Sequence, residues 1–213
     1  MQGTAGRIAR RIRQFVRGVT ASVSVDELQE AARFLPPAGL SRFRQMPVDA
    51  QRHSLNVLTT LQGAGWHDPD LAAAALLHDA GKLAAAKAGL TFNALVRTAL
   101  VLLDTFAPTL AARLAVEDAA GGWRYLLHAH LAHPQIGAHW ADADGCSPLT
   151  CWLIARHQDK TSLSDSPSNS VDDSKRGRTA GEKPRWSEVD EPHLVTEERM
   201  RLLRALQWAD NQN

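Results

Sequence analysis

Along most of the chain, apolar residues recur every three or four positions, which is the spacing of helices that bury one face. No segment clearly alternates apolar and polar residues, as a half-buried strand does. The pattern therefore predicts an all-α fold, organised as a single helical bundle.

Residues 1–43 are predicted to form an N-terminal helical extension, and its first helix, over residues 6–19, is amphipathic and basic. The apolar face consists of Ile8, Ile12, Phe15, Val16 and Val19, and the surrounding arginines are Arg7, Arg10, Arg11, Arg13 and Arg17. Such a helix either packs on the domain with its arginines in water or contacts a membrane surface or another anionic partner. Ser24 and Glu27 match a capping box, which predicts a second helix ending near Phe34.

From residue 47 onward the helical signal is sustained. Asp49 is predicted to cap a helix that runs to Gly63, and Asp68 to start one that reaches Asp79 and is ended by Gly81. Further helices are predicted at Leu90–Phe106, Ala107–Ala119, Pro134–Asp142, Ser147–His157 and Glu197–Asp210.

The main domain, residues 44–213, contains one segment of different composition. Residues 158–193 are rich in Ser, Asp, Lys, Pro and Gly, with almost no apolar residue between positions 164 and 185. Such a segment has too little apolar surface to pack as a domain of its own. It is predicted to be a flexible insertion.

Length, charge and cysteine content exclude several classes of protein. The chain has 213 residues, 44% of them hydrophobic and 22% charged, enough for one sizeable core and short for two domains. The net charge of +1 does not favour a nucleic-acid binder. Cys146 and Cys151 form neither a disulfide framework nor a zinc site, which fits buried thiols in a reducing compartment. Without a secretory signal pattern or an apolar run long enough to span a membrane, a cytoplasmic protein is expected.

His78 and Asp79 follow an apolar run of leucines and alanines that is predicted to be a buried helix. A carboxylate at the end of such a helix is unfavourable unless it is paired or bound to a metal ion. Two interpretations are therefore open for Asp79: an ion pair with a neighbouring histidine or lysine, or a metal site.

Four residues form an ordered set along the chain: His53 in Arg-His-Ser-Leu-Asn, the doublet His78-Asp79 in Leu-Leu-His-Asp-Ala-Gly-Lys, and the distant Asp210 in Trp-Ala-Asp-Asn. This set resembles the ordered H, HD and D signature of the HD superfamily of metal-dependent phosphohydrolases. His133 in His-Pro-Gln-Ile-Gly resembles an element of the small stand-alone bacterial members, and His157 lies where those members place a further ligand. The resemblance covers about residues 44–158 and 196–213.

The resemblance implies a metal centre with one or two ions per chain. Its ligands would be His53, His78, Asp79 and Asp210 for one ion, with Asp79 shared and His133 and His157 completing a second site. Imidazole and carboxylate ligands suit Fe, Mn, Ni, Co or Zn. His133 is chosen over His128 and His130 because it alone lies in the family motif.

The implied activity is hydrolysis of a phosphate ester in a nucleotide or related small molecule, with Asp79 and Lys82 in the catalytic centre. Lys82 would contact the substrate phosphate, and the alternative is a cation placed favourably near a helix C-terminus. The chain lacks the Gly-Tyr-Pro element of the cyclic-dinucleotide phosphodiesterases and the acidic pair of the alarmone hydrolases. A non-catalytic, metal- or nucleotide-binding regulatory module remains the alternative function.

Overall fold

The structure, a computed structural model, describes residues 22–90, 100, 102, 103, 106–159 and 197–213. All regular structure in these ranges is helical, which confirms the predicted all-α class. The helices are α1 (Val25–Ala32), α2 (Pro37–Gln45), α3 (Val48–Gly63), α4 (Pro69–Leu77), α5 (Leu83–Lys87), α6 (Pro108–Leu114), α7 (Trp123–Ala143), α8 (Pro148–Arg156) and α9 (Glu197–Gln212), with short 3-10 turns at Ala80–Lys82 and Ala119–Gly121. Within the same ranges, no helix is long and apolar enough to cross a membrane.

Three of the predicted segments lie outside the described residues. These are the basic helix at residues 6–19, most of the predicted helix at residues 90–106, and nearly all of the insertion at residues 158–193. Their predictions, including the membrane-surface or anionic contact of the basic helix, stay predictions.

Helix α1 starts as the capping-box pattern predicts. The Ser24 hydroxyl accepts a hydrogen bond from the Glu27 backbone at 3.2 Å, and the Glu27 carboxylate accepts one from the Ser24 backbone at 2.9 Å. The same carboxylate binds the guanidinium of Arg52 on α3 at 2.5 and 2.7 Å. This hydrogen-bonded pair lowers the pKa of Glu27 to about 2 and fastens α1 to α3.

Four predicted helix boundaries are wrong. The helix predicted at Ala107–Ala119 ends at Leu114, and each of the other three errors has a local cause. Helix α3 starts after Pro47, so Asp49 lies inside its first turn and does not cap it. Helix α4 has Asp68 as its cap, as predicted, but ends at Leu77, because the chain then tightens into the 3-10 turn that contains Gly81. Helix α7 begins eleven residues before Pro134, which lies in its interior.

Helix α4 lies at the centre of the larger hydrophobic core. Its residues 71–77 are all buried, and four of them are alanines. Small side chains allow neighbouring helices to pack closely, and α3, α8 and α9 all contact α4. The residues that follow α4 therefore emerge among three packed helices.

A second, smaller core lies between α5, α6 and α7, and Trp140 packs against both cores. The Arg42 guanidinium lies 4.7 Å from the centre of the Trp140 ring, and the Lys87 ammonium lies 4.6 Å from it. Cations over an indole are attracted by its negative face. Trp140 thus ties α7 to α2 and α5.

Candidate metal centre

All six predicted ligands converge at one place in the bundle. His53 lies in α3, His133 in α7 and Asp210 in α9, while the doublet His78-Asp79 follows α4 and His157 caps the end of α8. His78, His133 and His157 are 1%, 0% and 4% exposed. The bundle thus encloses most of the cluster.

Asp79 lies in the middle of this cluster and presents its two oxygens to different histidines. Oδ2 lies 3.7 Å from Nε2 of His78. Oδ1 lies 3.6 Å from Nε2 of His133 and 4.0 Å from Nε2 of His157. The carboxylate therefore lies between His78 on one side and His133 and His157 on the other.

Asp210 and His53 complete the side of the cluster that faces α9. Oδ1 of Asp210 lies 2.9 Å from Nε2 of His53 and 3.6 Å from Nε2 of His78. Burial raises the pKa of Asp210, but the hydrogen bond to His53 and the proximity of His78 outweigh it, and the net pKa lies well below the ordinary value. Asp210 is thus held as a carboxylate.

The three buried imidazoles are oriented in the same way. Each Nδ1 lies next to the carbonyl oxygen three residues earlier: Ala75 for His78 at 2.9 Å, His130 for His133 at 2.7 Å and Ile154 for His157 at 2.7 Å. A carbonyl oxygen only accepts, so each Nδ1 carries the proton and donates. In the neutral ring, Nε2 then presents a lone pair to the cluster.

These three Nε2 atoms are buried and have no hydrogen-bond partner among the residues that the structure describes. Buried polar atoms are nearly always satisfied, so each exception calls for an explanation. Three lone pairs directed at one carboxylate are an arrangement that a metal ion satisfies.

Burial also keeps two of these imidazoles unprotonated. It lowers the pKa of His133 to about 3, with Lys82 adding to the effect, and that of His157 to about 4, with His78 adding to it. For His78, the carboxylates of Asp79 and Asp210 outweigh the effect of burial, and the pKa is raised. Neutral imidazole is the form that binds metals.

Two sets of three ligands share Asp79. One contains His53, His78 and Asp79, the other Asp79, His133 and His157, and within each set the ligand atoms lie within 4.8 Å of one another. Asp210 lies beside both histidines of the first set and is counted with it from here on. Two atoms that each lie about 2.1 Å from a tetrahedral ion are about 3.4 Å apart, so separations of 3.6 to 4.0 Å need only a small contraction. The buried His/Asp cluster can therefore hold a metal ion.

Lys82 lies at the end of the 3-10 turn, with its ammonium 2.6 Å from Oδ2 of Asp79 and its side chain 38% exposed. Burial raises the pKa of Asp79, but Lys82 and then the histidines outweigh it and hold that pKa well below its ordinary value. Of the two interpretations of Asp79 that the sequence left open, the ion pair with a neighbouring lysine is thus present, and the surrounding imidazoles are also placed as a metal site would require.

The turn that carries Asp79 and Lys82 is pressed against α7. A Cβ built on Gly81 would lie 2.0 Å from the carbonyl oxygen of His133 and 2.8 Å from the backbone nitrogen of Gly137. Only glycine fits at such a distance. Gly81 thus brings Asp79 beside His133.

Sequence reasoning missed two residues beside the cluster, Gln207 and Asn211. They help to line a polar cavity of about 350 Å³, whose walls are His157, Gln158, Asp159, Gln207, Asp210 and Asn211. Gln207 shares the helical spacing of Met200, Leu203 and Leu206, which is typical of a packed helix face. Gln207 precedes Asp210 by three residues in one helix, and this spacing could have predicted that both lie on the same face of α9.

We expect the chelator-treated protein to lose stability as pH falls from 6.5 to 4.5. The pKa values of His133 and His157 lie below the unfolded value of 6.5, so below pH 6.5 the unfolded chain binds more protons than the folded one. Each residue then removes up to about 1.4 kcal/mol per pH unit, and the raised pKa of His78 offsets part of this loss.

Urea unfolding at pH 7, 6 and 5 measures this pH dependence. His157→Gln should reduce the slope, whereas His67→Gln, at an exposed position, controls for the loss of an imidazole. Equal or higher stability at pH 5 would contradict the buried, neutral state of the two histidines.

The structure thus brings together every ligand that the sequence motifs single out, and adds a polar cavity next to them. Comparison of the chain with family models, with curated proteins and with solved structures found no match.

Proposed function

We propose that the protein is a metal-dependent phosphohydrolase of the HD type, which cleaves a phosphate ester of a nucleotide or a related small molecule. The observation that carries this proposal is the carboxylate of Asp79, whose Oδ2 faces the buried His78 and whose Oδ1 faces the buried His133 and His157. Pairs of metal ions close enough to share a ligand are common in enzymes that hydrolyse phosphate esters. The order of the ligands along the chain, which resembles the HD superfamily, points the same way.

Two divalent transition-metal ions would be held by this chain, one by His53, His78 and Asp210 and the other by His133 and His157, with Asp79 common to both. When bound, such ions polarise a phosphoryl oxygen and lower the pKa of water toward neutrality. The protein contributes fixed ligands in a largely buried site, where electrostatic interactions are stronger than in water.

Lys82 is placed to act on the substrate. Its ammonium lies at the rim of the cluster, partly exposed, on the same carboxylate oxygen that faces His78. In the proposed reaction, it turns from Asp79 to a phosphoryl oxygen and offsets the charge that develops there.

The polar cavity is the proposed site for the rest of the substrate. His157 and Asp210, one from each ligand set, form part of its wall, so a molecule bound there would lie next to both sets. Its volume of about 350 Å³ is within the usual range for small-molecule sites. Amide and carboxylate side chains there favour a hydrophilic group over an apolar one.

The test loads the pure protein with Mn²⁺ and measures hydrolysis of an aryl phosphate and of a panel of nucleotides. Turnover that disappears with chelator and returns with metal supports the proposal. A protein that binds two ions per chain but hydrolyses none of these compounds would overturn the enzymatic function and leave the metal site standing.

Within this test, Lys82→Gln should lower kcat/KM by about 10 to 100 times without changing the number of bound ions, because it removes a cation next to the phosphoryl group. Lys87→Gln is the matched control, since Lys87 lies over Trp140, away from the cluster. Unchanged turnover in Lys82→Gln would show that Lys82 serves only as a partner of Asp79.

The Lys82–Asp79 ion pair also favours a second candidate function, a non-catalytic regulatory module that binds a metal or a nucleotide. Lys82 compensates the charge of the buried Asp79 carboxylate even when no metal ion is bound. A site that has lost its catalytic role would require such compensation. A stable nucleotide complex without turnover, measured by calorimetry on the metal-loaded protein, would select this function over the first.

A further inference from the structure

Each of the three buried imidazoles donates its Nδ1 proton to the backbone carbonyl three residues earlier. For two of them, the helix supplies such a carbonyl in the ordinary way. Ala75 lies in the last turn of α4 and Ile154 in the last turn of α8. The last four carbonyls of a helix have no intrahelical donor, so they are available to His78 and His157.

His133 has no such helix end. It lies in the middle of α7, which runs without interruption from Trp123 to Ala143. In a helix interior, the carbonyl of residue 130 accepts a hydrogen bond from the backbone N–H of residue 134. In this chain residue 134 is a proline, which has no N–H to donate. The His130 carbonyl is therefore left for Nδ1 of His133, at 2.7 Å.

We propose that Pro134 is a positioning residue for the metal centre: it offers no N–H to the His130 carbonyl, which instead accepts the Nδ1–H of His133 and so fixes that tautomer, with Nε2 facing Asp79. The opposite tautomer would present an N–H to the carboxylate and could not bind an ion. Proline is the least favourable residue in a helix interior, and this role accounts for its presence there. The inference rests on the proposed metal site.

The surroundings of His133 make the choice of tautomer decisive. His133 and Pro134 are both buried, and Gly81 packs directly against the His133 backbone. The imidazole is therefore enclosed, with its two nitrogens facing opposite partners: Nδ1 the His130 carbonyl and Nε2 the Asp79 carboxylate.

Pro134→Ala tests the proposal in the full-length protein. Alanine restores the N–H of residue 134, which competes with His133 for the carbonyl, so both tautomers become populated. Loss of such a partner of a metal ligand weakens metal affinity by about 10 to 100 times. We expect that decrease in one of two Zn²⁺ binding steps in a calorimetric titration, while the melting temperature stays the same or rises.

A merely structural role for Pro134 predicts a different result, a fall in melting temperature together with metal affinity. Pro134→Ala also leaves a small cavity, because alanine is smaller than proline. Pro134→Val restores the same N–H but fills more of that space, so it should weaken zinc binding as well if the restored N–H is the cause. Pro108→Ala, at the first turn of α6 on an exposed site, removes a proline without changing an interior hydrogen bond and should bind zinc as the wild type does.

The tautomer itself is measured by ¹⁵N NMR of the imidazoles in zinc-free protein, which requires no metal site. A wild-type His133 that carries its proton on Nε2 would overturn the proposal, as would wild-type zinc affinity in both Pro134 variants. If the wild type binds no zinc, the proposed function fails, while the NMR result still decides whether Pro134 sets the tautomer.

Discussion

Asp79→Asn is expected to disrupt metal binding at both of the proposed ligand sets. The asparagine has the size of the aspartate but replaces one oxygen with an amide nitrogen, which donates and does not bind a cation. Both oxygens of Asp79 face imidazoles, so either orientation of the amide breaks one set, and the loss of charge weakens the other. We expect affinity to fall more than about 100-fold, beyond the usual effect of losing a supporting partner.

Metal content by mass spectrometry of protein purified without chelator measures this effect. Asp210→Asn is the informative comparison, because it leaves the set of Asp79, His133 and His157 intact and should retain one ion. Asp159→Asn, next to the cavity but outside both sets, should retain two. Two ions in Asp79→Asn would show that Asp79 is not the bridging ligand.

Gly81→Ala is expected to have the largest effect on stability, because the new Cβ would lie 2.0 Å from the backbone oxygen of His133. No side chain can rotate away to relieve this contact, so the 3-10 turn or α7 must move. Overpacking of a core typically lowers the free energy of unfolding by about 1 to 3 kcal/mol, and a collision of two backbones lies at or above the upper end. The displaced turn also moves Asp79 from His133, so metal binding should fall too.

Gly63→Ala provides the matched control for this substitution. Nothing lies within 4 Å of a Cβ at Gly63, at the end of α3. There alanine should leave stability unchanged or raise it by about 0.4 to 1 kcal/mol. Urea unfolding of both variants gives the comparison, and equal free energies would show that the turn and α7 are not in close contact.

The sequence allowed the six ligands to be predicted because each lies in a short motif whose order is informative. It did not show how they are oriented. The choice of His133 over His128 and His130 came from the motif alone, whereas the structure places Nε2 of His133 3.6 Å from Asp79 and its Nδ1 next to the His130 carbonyl. The sequence pattern predicted that a helix starts at Pro134, so it did not reveal that His130 and His133 lie in one continuous helix.

Other features were not accessible from local patterns at all. The contact between Gly81 and α7 joins residues more than fifty positions apart. The local sequence pattern therefore predicted only that Gly81 ends a helix. Gln207 has the spacing of a packed residue, and only the placement of α9 shows that it faces the cavity. The all-α class, in contrast, follows from periodicity that each segment displays by itself.

The two ligand sets differ in when a ribosome can supply them. His53 and Asp210, which touch in the folded protein, are 157 residues apart in the sequence. At about 5 to 20 residues per second, roughly 8 to 31 s of translation separate them. Asp79, His133 and His157 emerge earlier, so the second ligand set is complete in the chain before α9 has been synthesised. Assembly of the whole cluster therefore waits until α9 has been translated.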